Sequence, residues 1–488
     1  MVSARDRSAL VVVFIGAAAV AALGLWLWAG LPLGVPGEWV WRPNEVPVSL
    51  GPSALAGLAL VVLGRALCRP GRWTAMAPAA RALSLAALVL VVFGLQCALL
   101  NAVGLPWVGP GAVIASPNAT TYFGVSLDVD HVPSWLASYH EQLPYLPHHA
   151  RTHPPGVVLF FLLVRRLTAG VAPTPFLATL ARGYNDTFGL GLSPTDALAA
   201  MLSAPLIALS GALALVPLYL LARQLMSAEA ALCAAVLAAA MPGLLLLGAS
   251  PDLTVVAMTA ATLALAHAAW RRTSLPLAFA AGLALAAGLF FTFAFAAVAG
   301  WVALWLLLEM RRLRGRAGVQ RGAARCAAAG LGGLATFYSA LRVATGYRPV
   351  LAAAAALGAH REVTVMETAR TYWKWLIMNP VEVAVFLGLP LAVCAIWGSR
   401  WRRGDEADGG LRAFLLGWLV LVGALNLSGA VRGEVGRIWV FLAWPAALPA
   451  AGRLAGHPLR AATVCAIMFL LVCQALAMRA WLTIYSIL

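Results

Sequence analysis

The chain is poor in charge and nearly devoid of lysine. Only 11% of its 488 residues are Asp, Glu, Lys or Arg, where a soluble domain carries about 25%, and Lys374 is the single lysine. So little charge cannot solvate a globular surface, and with 62% apolar residues the solvent that fits is a membrane. The strict two-residue alternation of a transmembrane barrel is missing, which leaves helices as the spanning element. The seven cysteines (68, 97, 233, 326, 394, 465 and 473) are scattered without a CxxC pair, so neither a disulfide framework nor a zinc site is implied. Soluble domain, linker and repeat are lacking too. Arg5 and Arg7 precede an apolar run over 10–31 that is too long for a signal peptide and is read as a first span.

What is present is a series of apolar runs of roughly 20 residues, the length a helix needs to cross about 30 Å of hydrocarbon. They fall at about 10–31, 52–67, 82–104, 196–222, 228–249, 252–270, 275–291, 293–310, 323–344, 379–397, 411–428, 437–454 and 460–485. The expected fold is therefore all-α: a polytopic transmembrane bundle of about 13 spans, with interfacial helices in a large external loop. The formal charge of +16 resides in arginines of short loops rather than on one solvated face, which points to topology and not to nucleic acid. With the N-terminus cytoplasmic, the loops holding Arg69/Arg72, Arg223, Arg271/Arg272, Arg311 to Arg325, Arg400/Arg402/Arg403 and Arg453/Arg460 all lie inside. The C-terminus and the two long loops, 105–195 and 345–378, then lie outside, and the active face with them. Val157 to Val164, closed by Arg165 and Arg166, is too short to cross and reads as an interfacial helix. Trp107, Tyr122, Trp135, Tyr139 and Tyr145 suit the same depth.

Chemistry-bearing residues concentrate in those loops. The first holds Asp128, Asp130 and His131, then His148-His149-Ala-Arg151-Thr-His153-Pro154-Pro155-Gly156. Carboxylates beside cations suit transfer from a lipid phosphate, because one group must take the acceptor's proton while others hold the departing phosphate. Paired prolines fix a rigid, extended approach to the next helix. Solvated loop acids and surface histidines are the plainer reading of the same residues. Asp252, in Ser250-Pro251-Asp252, reads either as a helix cap or as a second acid holding acceptor or metal. In the second loop Arg370 and Lys374, four apart, would share a helical face and hold phosphate, or snorkel beside an aromatic belt. Arg437 opens a further helix in Gly433-Glu434-Val435-Gly436-Arg437.

At the His153-Pro154-Pro155 stretch and its following short helix, the chain resembles the glycosyltransferase C superfamily, in particular the protein O-mannosyltransferases and the lipid A aminoarabinose transferases. The resemblance runs through Leu220 to Leu225 and Ser250-Pro251-Asp252 and covers roughly residues 82–310. It implies a catalytic core over 82–345, two additional N-terminal helices over 1–81, and a C-terminal part over 346–488. It also implies an inverting transfer of sugar from a polyprenyl-phosphate lipid to a glycan, lipid or protein acceptor. Asp128 or Asp130 would then serve as base, and His149, Arg151, His153, Arg370, Lys374 and Arg437 as phosphate ligands. No cofactor is required by this scheme; a divalent cation, Mg or Mn, is the optional one. The family's Asp-x-x-x-Tyr spacing meets Asn118 before Tyr122, and since asparagine cannot be a base the role passes to Asp128 or Asp130. A transporter or flippase without chemistry, and a noncatalytic assembly partner, are the rival classes.

Overall fold

Inside hydrocarbon a backbone N–H or C=O finds no water, so crossing segments close their own hydrogen bonds as helices. The computed structural model describes residues 4–147, 149–314, 318–362, 370–399, 409–457 and 459–485, and its regular structure is almost wholly helical. Each apolar run of the sequence coincides with helical structure. Among the described residues, seven helices are long and apolar enough to cross: Arg7–Trp28, Pro78–Leu100, Pro194–Leu225, Asp252–Arg272, Phe293–Arg312, Gly409–Ser428 and Arg460–Trp481. An eighth crossing results if the pair Tyr372–Leu387 and Leu389–Gly398, bent by 100°, is one span. The remaining runs fall on shorter apolar helices, such as Gly51–Leu67 and Leu275–Phe291, and on Val319–Thr345, which is 27 residues long but diluted by glycine and arginine. Arg400, Arg402, Arg403 and His148 lie outside the described residues.

The bend has a clear cause. Gly388 sits at φ +97°, and a Cβ there would collide with Leu471. The backbone groups freed by the break are taken by one side chain: Gln474 Oε1 accepts the Leu389 N–H at 2.9 Å and Gln474 Nε2 donates to the Val385 carbonyl at 2.7 Å. A fully buried glutamine thus substitutes for the missing helical bonds.

Helix contact elsewhere relies on small residues. Leu275–Phe291 lies so close to Val319–Thr345 that a Cβ on Gly282 would run into the Gly330 carbonyl, and one on Gly333 into that of Phe279. The N-terminal helices do not stand apart. Ala4–Trp28 packs on Arg460–Trp481 and Leu389–Gly398, and Gly51–Leu67 on Arg460–Trp481 and Pro78–Leu100.

Interhelical connections gather at two ends. At one, Arg460 Nη1 meets Glu229 Oε2 at 2.6 Å and Glu229 Oε1 accepts the Gly71 N–H at 2.8 Å. At the other, the antiparallel hairpin Leu33–Val35 with Trp39–Trp41 turns through Gly37 at φ +80° and presents Glu38. Glu38 accepts the Thr371 N–H at 2.8 Å, Lys374 Nζ at 2.9 Å and Trp375 Nε1 at 2.8 Å. The chain end joins here, since Thr483 N donates to the Arg42 carbonyl and the Ala249 N–H to Tyr485 Oη, both at 2.9 Å. In the long loop, Gly156–Thr168 forms the expected short helix. It is buried on one face against Tyr122–Leu127 and Pro194–Leu213, and Arg165 Nε pairs with Asp196 Oδ1 at 2.8 Å.

Replacing Gly282 or Gly333 with leucine should overpack the helix contact and cost about 1–3 kcal/mol, read as a lowered thermal midpoint in detergent; an unchanged midpoint for both would disprove the close-contact argument. Glu38 yields a pH prediction. Partial burial works against its ionisation, yet the Thr371, Lys374 and Trp375 bonds hold its carboxyl down to about 2, from a usual value of 4.5. Its stabilisation is therefore complete above the usual value and is lost as pH falls toward about 2. The gap in melting temperature between the unmodified chain and Glu38→Gln should be widest near neutral pH and close on acidification. A gap independent of pH would show that the carboxylate charge is not what holds the hairpin.

Candidate functional site

Asp252 opens the helix Asp252–Arg272, where the positive end of the helix dipole favours a carboxylate. The capping expectation is not met: Pro251 occupies the cap position and no side-chain cap bond forms. Asp252 Oδ2 instead accepts the Ser250 hydroxyl at 2.6 Å and stands 3.8 Å from Arg437 Nε. It is held toward the polar end of the bundle rather than against its own helix.

Arg437 comes from a turn built by its sequence. Gly433 at φ +88° and Gly436 have no room for a side chain, since a Cβ would strike Trp375 and Phe386 respectively. Between them Glu434 takes φ +58°, a left-handed conformation that costs a non-glycine residue of order 1–3 kcal/mol. Two polar side chains of the bent helix brace this turn: Asn379 Oδ1 accepts the Gly433 N–H at 3.1 Å, and Glu382 Oε2 accepts that of Gly436 at 3.4 Å. Glu434 then receives Arg437 Nη2 at 2.9 Å and Arg370 Nη2 at 3.4 Å. Burial opposes ionisation of Glu434, but Arg437 and Arg370 hold its carboxyl below the usual range. Arg437 Nε is buried and lacks a hydrogen-bond partner, a donor left over at the centre of the group.

Tyr122 and His153 close the other side. Their rings meet at 5.4 Å, close to perpendicular. Thr121, at φ +55°, turns the chain into the helix Tyr122–Leu127. Burial and the nearby Asp252 charge push the Tyr122 phenol up, so it remains a neutral donor. His153 is extended before Pro154, as a pre-proline residue must be. Its Nδ1 lies 2.9 Å from the His149 carbonyl, which makes Nδ1 the protonated nitrogen and leaves Nε2 as an acceptor. Burial lowers its pKa against the pull of Asp252. His153, expected as a phosphate ligand, thus stands against Tyr122 with its Nδ1 taken by the His149 carbonyl.

The remaining sequence candidates are dispersed. Asp128 and Asp130 are exposed, neither carboxylate makes an ion pair or hydrogen bond among the described residues, and the Asp130 carbonyl lies beside Arg166 at 3.3 Å. Arg166 stands ten positions beyond Gly156, about 15 Å along that helix from the His153 end. Lys374 is engaged by Glu38, and because the helix starts at Tyr372, Arg370 and Lys374 do not form the expected one-face pair. Arg370 turns to Glu434 and the Arg432 carbonyl. His149 lies within electrostatic reach of Glu434, and Arg151 sits in the turn Ala150–Thr152, packed on Pro349–Glu362. Among the described residues no three His, Cys, Asp or Glu side chains converge on a metal-sized position, so the chain does not present a three-ligand cation site there. Tyr485, missed from sequence, fixes the turn before Asp252 by accepting from Ala249 N and donating to the Leu246 carbonyl at 3.2 Å. Its only signal in the sequence is a lone tyrosine at the end of the last apolar run.

No family model matches this chain, and no curated protein does. Among solved structures it is similar to the Archaeoglobus fulgidus oligosaccharyltransferase tethered with an acceptor peptide, at TM-score 0.48 and 10% identity over 88% of this chain and 55% of that one. The same oligosaccharyltransferase in complex with Zn and sulfate gives TM-score 0.43 and 14% identity over 68% of this chain and 49% of that one. The chain spans about half the length of these structures.

Proposed function

We propose that the chain is a membrane glycosyltransferase that moves a sugar from a polyprenyl-phosphate lipid to an acceptor at the external face, with its reaction centre at Asp252 and Arg437. The observation that carries this reading is the Asp252–Arg437–Glu434–Arg370 group. Two carboxylates and two guanidinium groups, each part-exposed, meet at one end of a bundle in which only 11% of residues are charged. Charged side chains from three separate segments converge there, the clustering of ionisable groups that active sites use. The donor class rests on the resemblance at His153-Pro154-Pro155.

In this scheme a carboxylate takes the proton of the acceptor hydroxyl as its oxygen attacks the anomeric carbon. The bond from that carbon to the phosphate oxygen breaks with inversion, and the electron pair leaves on the lipid phosphate. Arg437, whose Nε is unsatisfied, supplies charge-assisted donors to that phosphate, with Arg370 behind it. Asp252 is the acid placed against Arg437, and Tyr122 and His153 Nε2 offer a neutral donor and acceptor for sugar hydroxyls. Asp128 and Asp130, the acids favoured by sequence, are the alternative bases.

A second reading has its own observation. The 100° break in Tyr372–Gly398, with the fully buried Glu382 beside it and its Oε1 unpartnered, is the kind of interrupted helix through which transporters hold polar cargo.

Transfer assays in proteoliposomes, with lipid binding measured separately, separate these. Asp252→Asn should lower the transfer rate by about 10²–10⁴ while donor binding persists, and Arg437→Gln should weaken donor binding. Asp128→Asn and Asp130→Asn should cost less. Full transfer by Asp252→Asn would move the base to Asp128 or Asp130, and transport without transfer would establish the second reading.

A further inference from the structure

A separate cationic groove lies at the same end of the bundle. It is formed where Val319–Thr345 ends and Pro349–Glu362 begins, and it encloses about 570 Å³ lined by Tyr338, Ser339, Arg342, Arg348, Val350 and Leu351. The link between the two helices explains how the arginines meet. Gly346 at φ +75° closes the first helix by donating to the Arg342 carbonyl at 2.7 Å, and the buried Tyr347, packed on Tyr139 and Phe290, anchors the turn. Arg342 and Arg348 are thereby brought to one groove from either side of a rigid corner.

Both arginines are exposed, and neither has an ion pair or side-chain hydrogen bond among the described residues. That contrasts with Arg165, Arg370, Arg437 and Arg460, each of which meets an acid. Two like charges at one groove repel, and an anion between them relieves the repulsion. Its apolar lining is open to the surroundings: Val350 is 79% and Leu351 44% exposed. An arginine that merely snorkels needs no groove, whereas paired cations above an apolar wall match a lipid whose phosphate sits at headgroup level and whose chains run down the helices.

We infer that this groove binds an anionic phospholipid by its phosphate headgroup, at a site distinct from the reaction centre. Pro349–Glu362 separates the two: Arg348 precedes it, while His360, twelve positions on and roughly 18 Å away, bonds the Ala430 carbonyl at 3.0 Å beside the Arg437 turn. The lipid would fix the angle of this helix, and so the seat of the Ala150–Thr152 turn packed on it.

Native mass spectrometry of the full chain, delipidated in detergent and titrated with phosphatidylglycerol, tests this without any transfer assay, so the outcome is independent of the proposed reaction. The unmodified chain should retain phosphatidylglycerol over phosphatidylcholine. Arg342→Gln with Arg348→Gln should weaken retention roughly thirtyfold, the effect of two cations at a headgroup, while the paired lysine substitutions keep most of it. Retention by the glutamine variant equal to the unmodified chain would overturn the site. So would one-for-one displacement of phosphatidylglycerol by a polyprenyl phosphate, which would make the groove part of the donor path.

Discussion

A charge held where water is scarce must find its opposite, and that constraint organises this chain. Glu38 reaches Lys374, Arg165 reaches Asp196, Glu229 reaches Arg460, and Asp252 reaches Arg437. The partners lie between 31 and 336 positions apart in sequence. Where a member is buried, as Arg460 is, leaving it unmatched costs about 3–5 kcal/mol. The pairs therefore specify which helix ends meet, more sharply than the apolar faces, which are nearly interchangeable against lipid. The first helices, with their Glu38 hairpin, are fastened to the C-terminal part for this reason.

The polar centre inherits its geometry from backbone irregularity. Thr121 and Glu434 hold left-handed conformations just before Tyr122 and Arg437, and Gly388 breaks the helix whose Asn379 and Glu382 brace the Arg437 turn. A regular helix would point its side chains along its own flank; interrupted backbone lets them converge at one end. Each irregularity is offset locally, as Gln474 does at the break. Strain held in place by surrounding bonds is a mark of functional sites.

How far the sequence foresaw this differs from residue to residue. His153, Asp252 and Arg437 were each singled out by their place at a loop or helix end, and the fold brings them together with Tyr122. The surroundings of His153 were not foreseeable, because the ring contact with Tyr122 and the bond to the His149 carbonyl come from packing. Asp128 and Asp130 looked equivalent to the histidines in a linear reading, yet the Gly156–Thr168 helix carries the two groups to opposite ends of itself. The ion pair of Lys374 with Glu38, some three hundred residues away, was not visible in the sequence either.

The sequence by itself determined the solvent, the helical class and the segments that become helix. Transfer free energy sums residue by residue, and a run of about 20 apolar residues has one economical form in hydrocarbon. Only the tertiary structure decided which charges are paired, which acid faces Arg437, and where two arginines are left together without an acid. Those outcomes depend on distances between residues remote in the chain, and electrostatic energy follows such distances and the local exclusion of water rather than sequence position.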